Sequence, residues 1–140
     1  MSARRKPSPA PTARTVLMID LLLDGLRVES MSFDYSINVD FDEACGVKSE
    51  SSIRVTDANG AVTVVDPQAL EDHGELILRQ LRARCRGAVI SDEGTLRLMW
   101  EDGSLWELLP NDSYESWHAA GSSVYSYIVC MPGGELALWT

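Results

Sequence analysis

The sequence predicts an α+β domain: a curved, mostly antiparallel sheet of hairpins with one main α-helix packed on one face. Two observations carry the sheet. From Met31 to Asp42 apolar and polar residues alternate without a break, and a period of two buries one set only in an extended chain with one face on a core. Further short apolar runs are separated by Asn59-Gly60, Glu93-Gly94, Asp102-Gly103 and Pro132-Gly133-Gly134, all turn formers. A third observation supplies the helix, since Asp66-Pro67 precedes the one stretch with apolar residues at helical spacing.

Taken in order, residues 1–14 contain Pro7, Pro9 and Pro11 with Arg4, Arg5, Lys6 and Arg14 and no acid. Such a segment has little to bury, so a disordered basic Pro-rich tail is expected, leaving 15–140 as a single α+β domain. Val16–Leu26 fits either a short strand or one helical turn. Val28 is an even-numbered apolar position whereas the long alternating run uses odd ones, so the phase flips near Glu29-Ser30 and calls for a bulge or tight turn.

Ser52–Asp57 and Ala61–Asp66 flank Asn59-Gly60, which suits a two-residue type I′ turn. That register pairs Val55 with Val64 and Asp57 with Val62, placing Ile53, Val55, Val62 and Val64 on one face. Asp66 as N-cap, Pro67 at the first helical position and early Glu71 and Asp72 open a helix over about residues 67–83. Its stripe is Leu70, Gly74, Ile77, Leu78 and Leu81, with His73 at the margin. Strands return at Ala88–Ser91, Thr95–Trp100 and Leu105–Leu109. A two-residue turn at Asp102-Gly103 would pair Leu98 with Glu107, putting a carboxylate among apolar side chains, so either the edge is open or the loop is longer. Pro110–His118 reads as a loop with a short helical turn, and Val124–Cys130 and Glu135–Trp139 as two final strands.

Composition limits the function. The 12 Lys and Arg include the four in the tail, so eight remain against all 21 Asp and Glu. A body that acidic repels nucleic-acid phosphates and favours basic partners. No apolar stretch approaches the roughly 20 residues of a membrane span, and the run after Arg4-Arg5 is too short and too soon interrupted by Asp20 for an export signal. Cys45, Cys85 and Cys130 are an odd, widely spaced set, which suits buried thiols in a reducing cytoplasm.

Chemistry-bearing patterns are sparse. His73 and His118 are the only histidines, neither with a second His or Cys at ligand spacing, so no metal, cofactor or catalytic residue is assigned. The acidic residues Asp20, Asp24, Asp34, Asp40, Asp42 and Glu43 lack the spacing and central glycine of a calcium loop; with Asp34 and Asp40 on the outward side of the alternating strand, they read as a solvated acidic face. Trp100, Trp106, Trp117 and Trp139 all fall in the last third, with Tyr114, Tyr125 and Tyr127. They serve either as core packing for the hairpins or, for Trp106, Tyr114 and Trp117, as the rim of a binding surface.

Leu96–Thr140 carries Asp102-Gly103, Tyr114-Glu115-Ser116-Trp117, Gly121 and Met131-Pro132-Gly133-Gly134-Glu135-Leu136-Ala137-Leu138-Trp139 in that order. Together with Leu23-Asp24-Gly25-Leu26-Arg27-Val28 and Asp34-Tyr35, these resemble an actinobacterial family, domain of unknown function 6188, over most of residues 22–140. The resemblance implies no activity and no catalytic residue.

The leading expectation is therefore a non-enzymatic, cytoplasmic protein that binds a basic protein partner, as a toxin-neutralising immunity protein would. Asp34, Asp40 and Asp42 would steer the encounter, and Trp106, Tyr114 and Trp117 would anchor it. The alternative is a small-molecule binder or minor enzyme with a pocket between helix and sheet, for which His118 with Glu115 would supply a polar cluster.

Overall fold

The computed structural model describes residues 18–140; the basic tail expected over 1–14 lies outside them. Along the chain run β1 (Ile19–Asp20), β2 (Val28–Phe33), β3 (Ile37–Phe41), β4 (Gly46–Ser49), β5 (Ile53–Thr56), β6 (Val62–Val65), α1 (Leu70–Leu78), β7 (Cys85–Ile90), β8 (Leu96–Trp100), β9 (Leu105–Leu108), β10 (Trp117–Ala120), β11 (Tyr127–Cys130) and β12 (Leu136–Trp139). Among the described residues, antiparallel strands with a single α-helix are as expected of an α+β domain. The strands fall into two six-stranded sheets, ordered β1-β7-β8-β9-β5-β6 and β12-β11-β10-β4-β3-β2, not into one curved sheet. Twelve strands exceed what a twisted open sheet usually holds before it splits, at roughly ten. The two sheets contribute to one hydrophobic cluster. Across it Phe41 of the second sheet stacks on Trp100 of the first, with ring centroids 6.1 Å apart.

Four turns have the same length, and three of them share one construction. Asp34–Ser36, Ala58–Gly60, Asp92–Gly94 and Glu101–Gly103 are three-residue loops, closed by Phe33–Ile37, Asp57–Ala61, Ser91–Thr95 and Trp100–Ser104. In the last three the third loop residue is a glycine at φ near +90° (Gly60, Gly94, Gly103), the left-handed position of this loop type, where glycine adds no Cβ penalty. In each, the residue before the loop donates its N–H to the carbonyl of the residue after it, at 2.9–3.0 Å.

This construction corrects three expectations at once. The run Met31–Asp42 is not one strand but β2 and β3 folded about Asp34–Ser36, with Tyr35 at φ 65° and 82% exposed. An odd loop pairs residues of equal parity, so the alternation passes through the hairpin unbroken. The Asn59-Gly60 hairpin exists, but its loop has three residues. Val55 therefore pairs with Thr63 and Arg54 with Val64, and Val62 and Val64 point outward while Ile53, Val55 and Val65 are buried. A one-residue slip exchanges the faces of a strand. At Asp102-Gly103 the longer loop is the one realised: Leu98 pairs with Trp106 and Glu107 with Arg97, so the carboxylate leaves the core.

Other expectations fare differently. The phase flip at Glu29-Ser30 is a bulge between Val28 and Ser30 in the β2–β3 pairing. The helix is shorter than 67–83. Asp66 spends its carboxylate on the Gln68 N–H at 2.9 Å in a local turn, so no side chain caps α1. Helical dihedrals lapse at His73, next to Gly74. Beyond Arg79 the chain turns back, with Arg82 in the left-handed region and its N–H bonded to Val28. Trp117 and His118, expected in a loop, lie on β10.

The two sheets are pinned where turns meet. The Gly94 carbonyl accepts the Trp117 indole N–H at 2.9 Å. A methyl at Gly94 would sit 2.7 Å from the Gly134 Cα and closer still to its carbonyl oxygen, so this approach requires glycine.

Candidate binding face and helix–sheet cleft

The register of the second sheet decides what faces outward. β4 pairs with β10 as Lys48 with His118 and Gly46 with Ala120, although some 70 residues of sequence separate them. β10 pairs with β11 as Ala120 with Tyr127, and β11 with β12 as Tyr127 with Trp139. Ile37, Val39, Phe41, Val47, Trp117, Ala119, Ile128 and Cys130 fill the inner face. The outer face therefore carries Asn38 and Asp40, then Lys48, His118, Tyr127 and Trp139.

His118 is the centre of that face. Its Nδ1 lies 2.5 Å from the Tyr127 hydroxyl. Its Nε2 is sealed from solvent and makes no hydrogen bond to any described residue; Glu115 Oε1 and Glu50 Oε2 stand 3.5 and 3.7 Å from it. Lys48 Nζ is 3.7 Å from the same Glu50 oxygen. The Tyr127 ring lies 5.8 Å from the imidazole and 5.5 Å from the Trp139 ring. Tyr127 and Trp139 are both exposed, the latter by half. Amphipathic rings beside carboxylates can stack on and pair with a cationic side chain.

The structure distributes the sequence-derived candidates widely. Trp106 is sealed in the core, edge-on to Trp100 at 4.9 Å, and Trp117 is sealed beneath Gly94, so neither offers surface to a partner. Tyr114 is half exposed in the loop before β10. Asp34 holds the β2–β3 turn, accepting from Ser36 Oγ at 2.9 Å and Asn38 Nδ2 at 3.2 Å. Asp40 is exposed on the outer face and accepts from Ser30 Oγ at 3.3 Å. Asp42 accepts the Arg27 N–H at 3.1 Å at the end of β3. Glu115 does meet His118, but on an open sheet face. No local sequence signature joins Glu50, Tyr127 and Trp139 to His118, because the β4–β10, β10–β11 and β11–β12 pairings that assemble them are set by the sheet as a whole.

A separate cleft of about 220 Å³ lies between the C-terminal end of α1 and two hairpin turns, lined by Val55, Asp57, Leu76, Arg79, Gln80 and Asp102 among others. Gln80 is buried, and its amide donates to Asp102 Oδ2 at 3.2 Å and Ser104 Oγ at 3.0 Å. Partial burial works against ionisation of Asp102. Hydrogen bonds from Ser104 and Gln80, with the Arg79 charge, outweigh it and hold the carboxyl below the usual aspartate range.

Cys45, Cys85 and Cys130 are free and buried. Burial pushes the thiols of Cys45 and Cys85 up to about 11 and that of Cys130 upward. Among the described residues no group of three His, Cys, Asp or Glu side chains forms a metal site, and no helix is long and apolar enough to cross a membrane.

Comparison with curated proteins and with solved structures gives no match. A model of the family of unknown function DUF6188 matches residues 19–140. That span runs from β1 through β12 and includes the outer face, the cleft and the glycine contact between the sheets: the chain belongs to this family of unknown function.

Proposed function

We propose that this chain is a non-enzymatic binding protein of the cytoplasm that docks a basic protein partner on the outer face of its second sheet. The observation carrying the reading is the exposed Tyr127–Trp139 ring pair, flanked on one sheet face by the carboxylates of Asp40, Glu50 and Glu115 beside the ammonium of Lys48. Aromatic anchors ringed by charge of one sign suit hot-spot binding with electrostatic steering. The net charge of −9 adds a long-range pull on a cationic partner. An immunity-type neutraliser of a basic toxin is the concrete form of this reading. Of the sequence-derived candidates, Tyr114 as an anchor and Asp40 as a steering charge remain in it; Trp106 and Trp117 lie in the core.

The test is co-purification of wild type beside Trp139→Ala and Glu50→Lys, each checked for folding by circular dichroism. A basic protein retained by wild type, lost from both variants and released by high salt is the expected result. A partner held equally by all three, or one that is acidic, refutes the reading.

The cleft favours a second reading, a small-molecule site between helix and sheet. Arg79 opposite Asp57 and Asp102 suits a small ligand bearing both an anionic group and a donor. Saturation-transfer NMR with a library of amino acids and small zwitterions tests it. Binding that Arg79→Ala abolishes supports this use of the cleft, and no binder at millimolar concentration removes it.

A further inference from the structure

We propose that His118 is a proton-operated switch on the partner face, a reading that rests on the binding function above. Protonation draws Glu50 and Glu115 onto Nε2, taking from a basic partner the two carboxylates it would pair with.

The geometry carries this. Neutral imidazole has one N–H, the imidazolium two. In the Nε2–H tautomer of the neutral ring the Tyr127 hydroxyl donates its proton to Nδ1, 2.5 Å away, and Nε2 makes no hydrogen bond to any described residue. The two carboxylate oxygens at 3.5 and 3.7 Å stand just outside bonding distance, on side chains that are nearly half exposed and free to move inward. An incoming proton from solvent makes both ring nitrogens donors. Nδ1–H then requires the Tyr127 oxygen as acceptor, so the hydroxyl proton points away, towards Trp139 or solvent. Nε2–H gains a charge-assisted bond to one carboxylate with the other alongside.

The groups facing His118 come from every neighbouring element. β4 supplies Lys48, directly opposite, and Glu50; β11 supplies Tyr127 beside the apolar Val129; the loop before β10 supplies Glu115. Lys48 competes for Glu50, so protonation also loosens that pair. Histidine is the side chain whose charge changes within pH 5–8, while exposed carboxylates stay ionised there.

The experiment is a proton and nitrogen NMR titration of the full chain from pH 7.5 to 5.5, with an octalysine peptide as the cationic probe. His73→Gln serves as the background, leaving His118 as the remaining imidazole. The expected result is that Tyr127 and Trp139 ring signals move together with the His118 ring, and that this joint movement is lost in His118→Gln. Tyr127→Phe, which keeps the ring, should uncouple Trp139 from the imidazole. Octalysine should perturb this face at pH 7.5 and bind roughly three- to tenfold more weakly at pH 5.5, with no such difference in His118→Gln. Rings that stay still while His118 titrates overturn the switch, as does a pH effect that persists in His118→Gln. Micromolar zinc that captures His118 at pH 7.5 also overturns it, by making the occupant a metal. If the rings co-titrate but octalysine never touches this face, the binding function fails while the switch stands.

Discussion

Three glycines in equivalent loops offer a controlled measurement of how much the contact between the sheets costs to disturb. Gly60, Gly103 and Gly94 occupy the same position of the same loop type at φ +91°, +91° and +94°. Alanine at any of them incurs the left-handed backbone penalty, about 1 kcal/mol after the gain from a stiffer unfolded chain. Their surroundings differ. A methyl at Gly60 meets nothing within 4 Å, and one at Gly103 rests at ordinary contact, 3.4 Å from the Ala58 Cβ. A methyl at Gly94 drives into the Gly134 backbone, which cannot rotate away as a side chain would, and displaces the carbonyl that holds Trp117. Overpacking of that kind adds about 2 kcal/mol. With an m-value of about 1.5 kcal/mol/M in urea, the midpoint should fall by about 0.7 M for Gly60→Ala and Gly103→Ala and by about 2 M for Gly94→Ala. Tryptophan fluorescence follows the transition. A Gly94→Ala midpoint within 0.3 M of Gly60→Ala would refute the claim that this approach pins the sheets.

Further outcomes test other contacts. Trp117→Phe keeps most of the ring but leaves the buried Gly94 carbonyl without its indole donor, so it should lower stability by about 1–2 kcal/mol in the same assay; Tyr114→Phe, on the surface, should change it by under about 0.5 kcal/mol. Glu107 is bracketed by Arg54 and Arg97 at 3.0 Å each and is only 14% exposed, so Glu107→Gln should cost about 1–2 kcal/mol, less in 1 M salt as screening weakens the pairs. The folded-state carboxyl of Asp102 is held below its unfolded value. Its contribution is therefore complete above the ordinary aspartate range and is lost as pH falls through the lower folded value. The urea midpoint of wild type should exceed that of Asp102→Asn at pH 7, with the gap closing as pH falls below the ordinary aspartate range. The three buried thiols, two with values near 11, should resist Ellman's reagent at pH 8 in native protein and all react after unfolding, because thiolate and access are both missing in the fold.

Sequence periodicity located the apolar faces well. In β8, β9 and the part of β7 beyond its bulge, the buried residues Ala88, Ile90, Leu96, Leu98, Trp100, Trp106 and Leu108 share one parity, as the turn glycines and alternation imply; Cys85, before the bulge, is buried out of phase. The same parity concealed the β2–β3 hairpin, since a three-residue loop leaves odd residues opposite odd ones. It also hid loop length: Asn59-Gly60 announces a turn but not whether Ala58 belongs to it. Asp57 decides that, because its carboxylate accepts the N–H groups of both Asn59 and Ala61, at 2.9 and 3.0 Å. The outward turn of Val62 and Val64 follows from that one residue.

What the chain's order of residues determined by itself is local: where it extends, where it turns, which side chains seek a core, and that the body is acidic. Tertiary structure alone decided that the strands divide into two sheets and that β4 lies beside β10. Pairing of distant strands depends on the summed fit of many weak contacts, which no short motif encodes. The β4–β10 pairing brings Glu50 to His118, the β10–β11 pairing sets Tyr127 beside it, and the packing of the two sheets buries Trp106 and Trp117 while leaving Trp139 exposed.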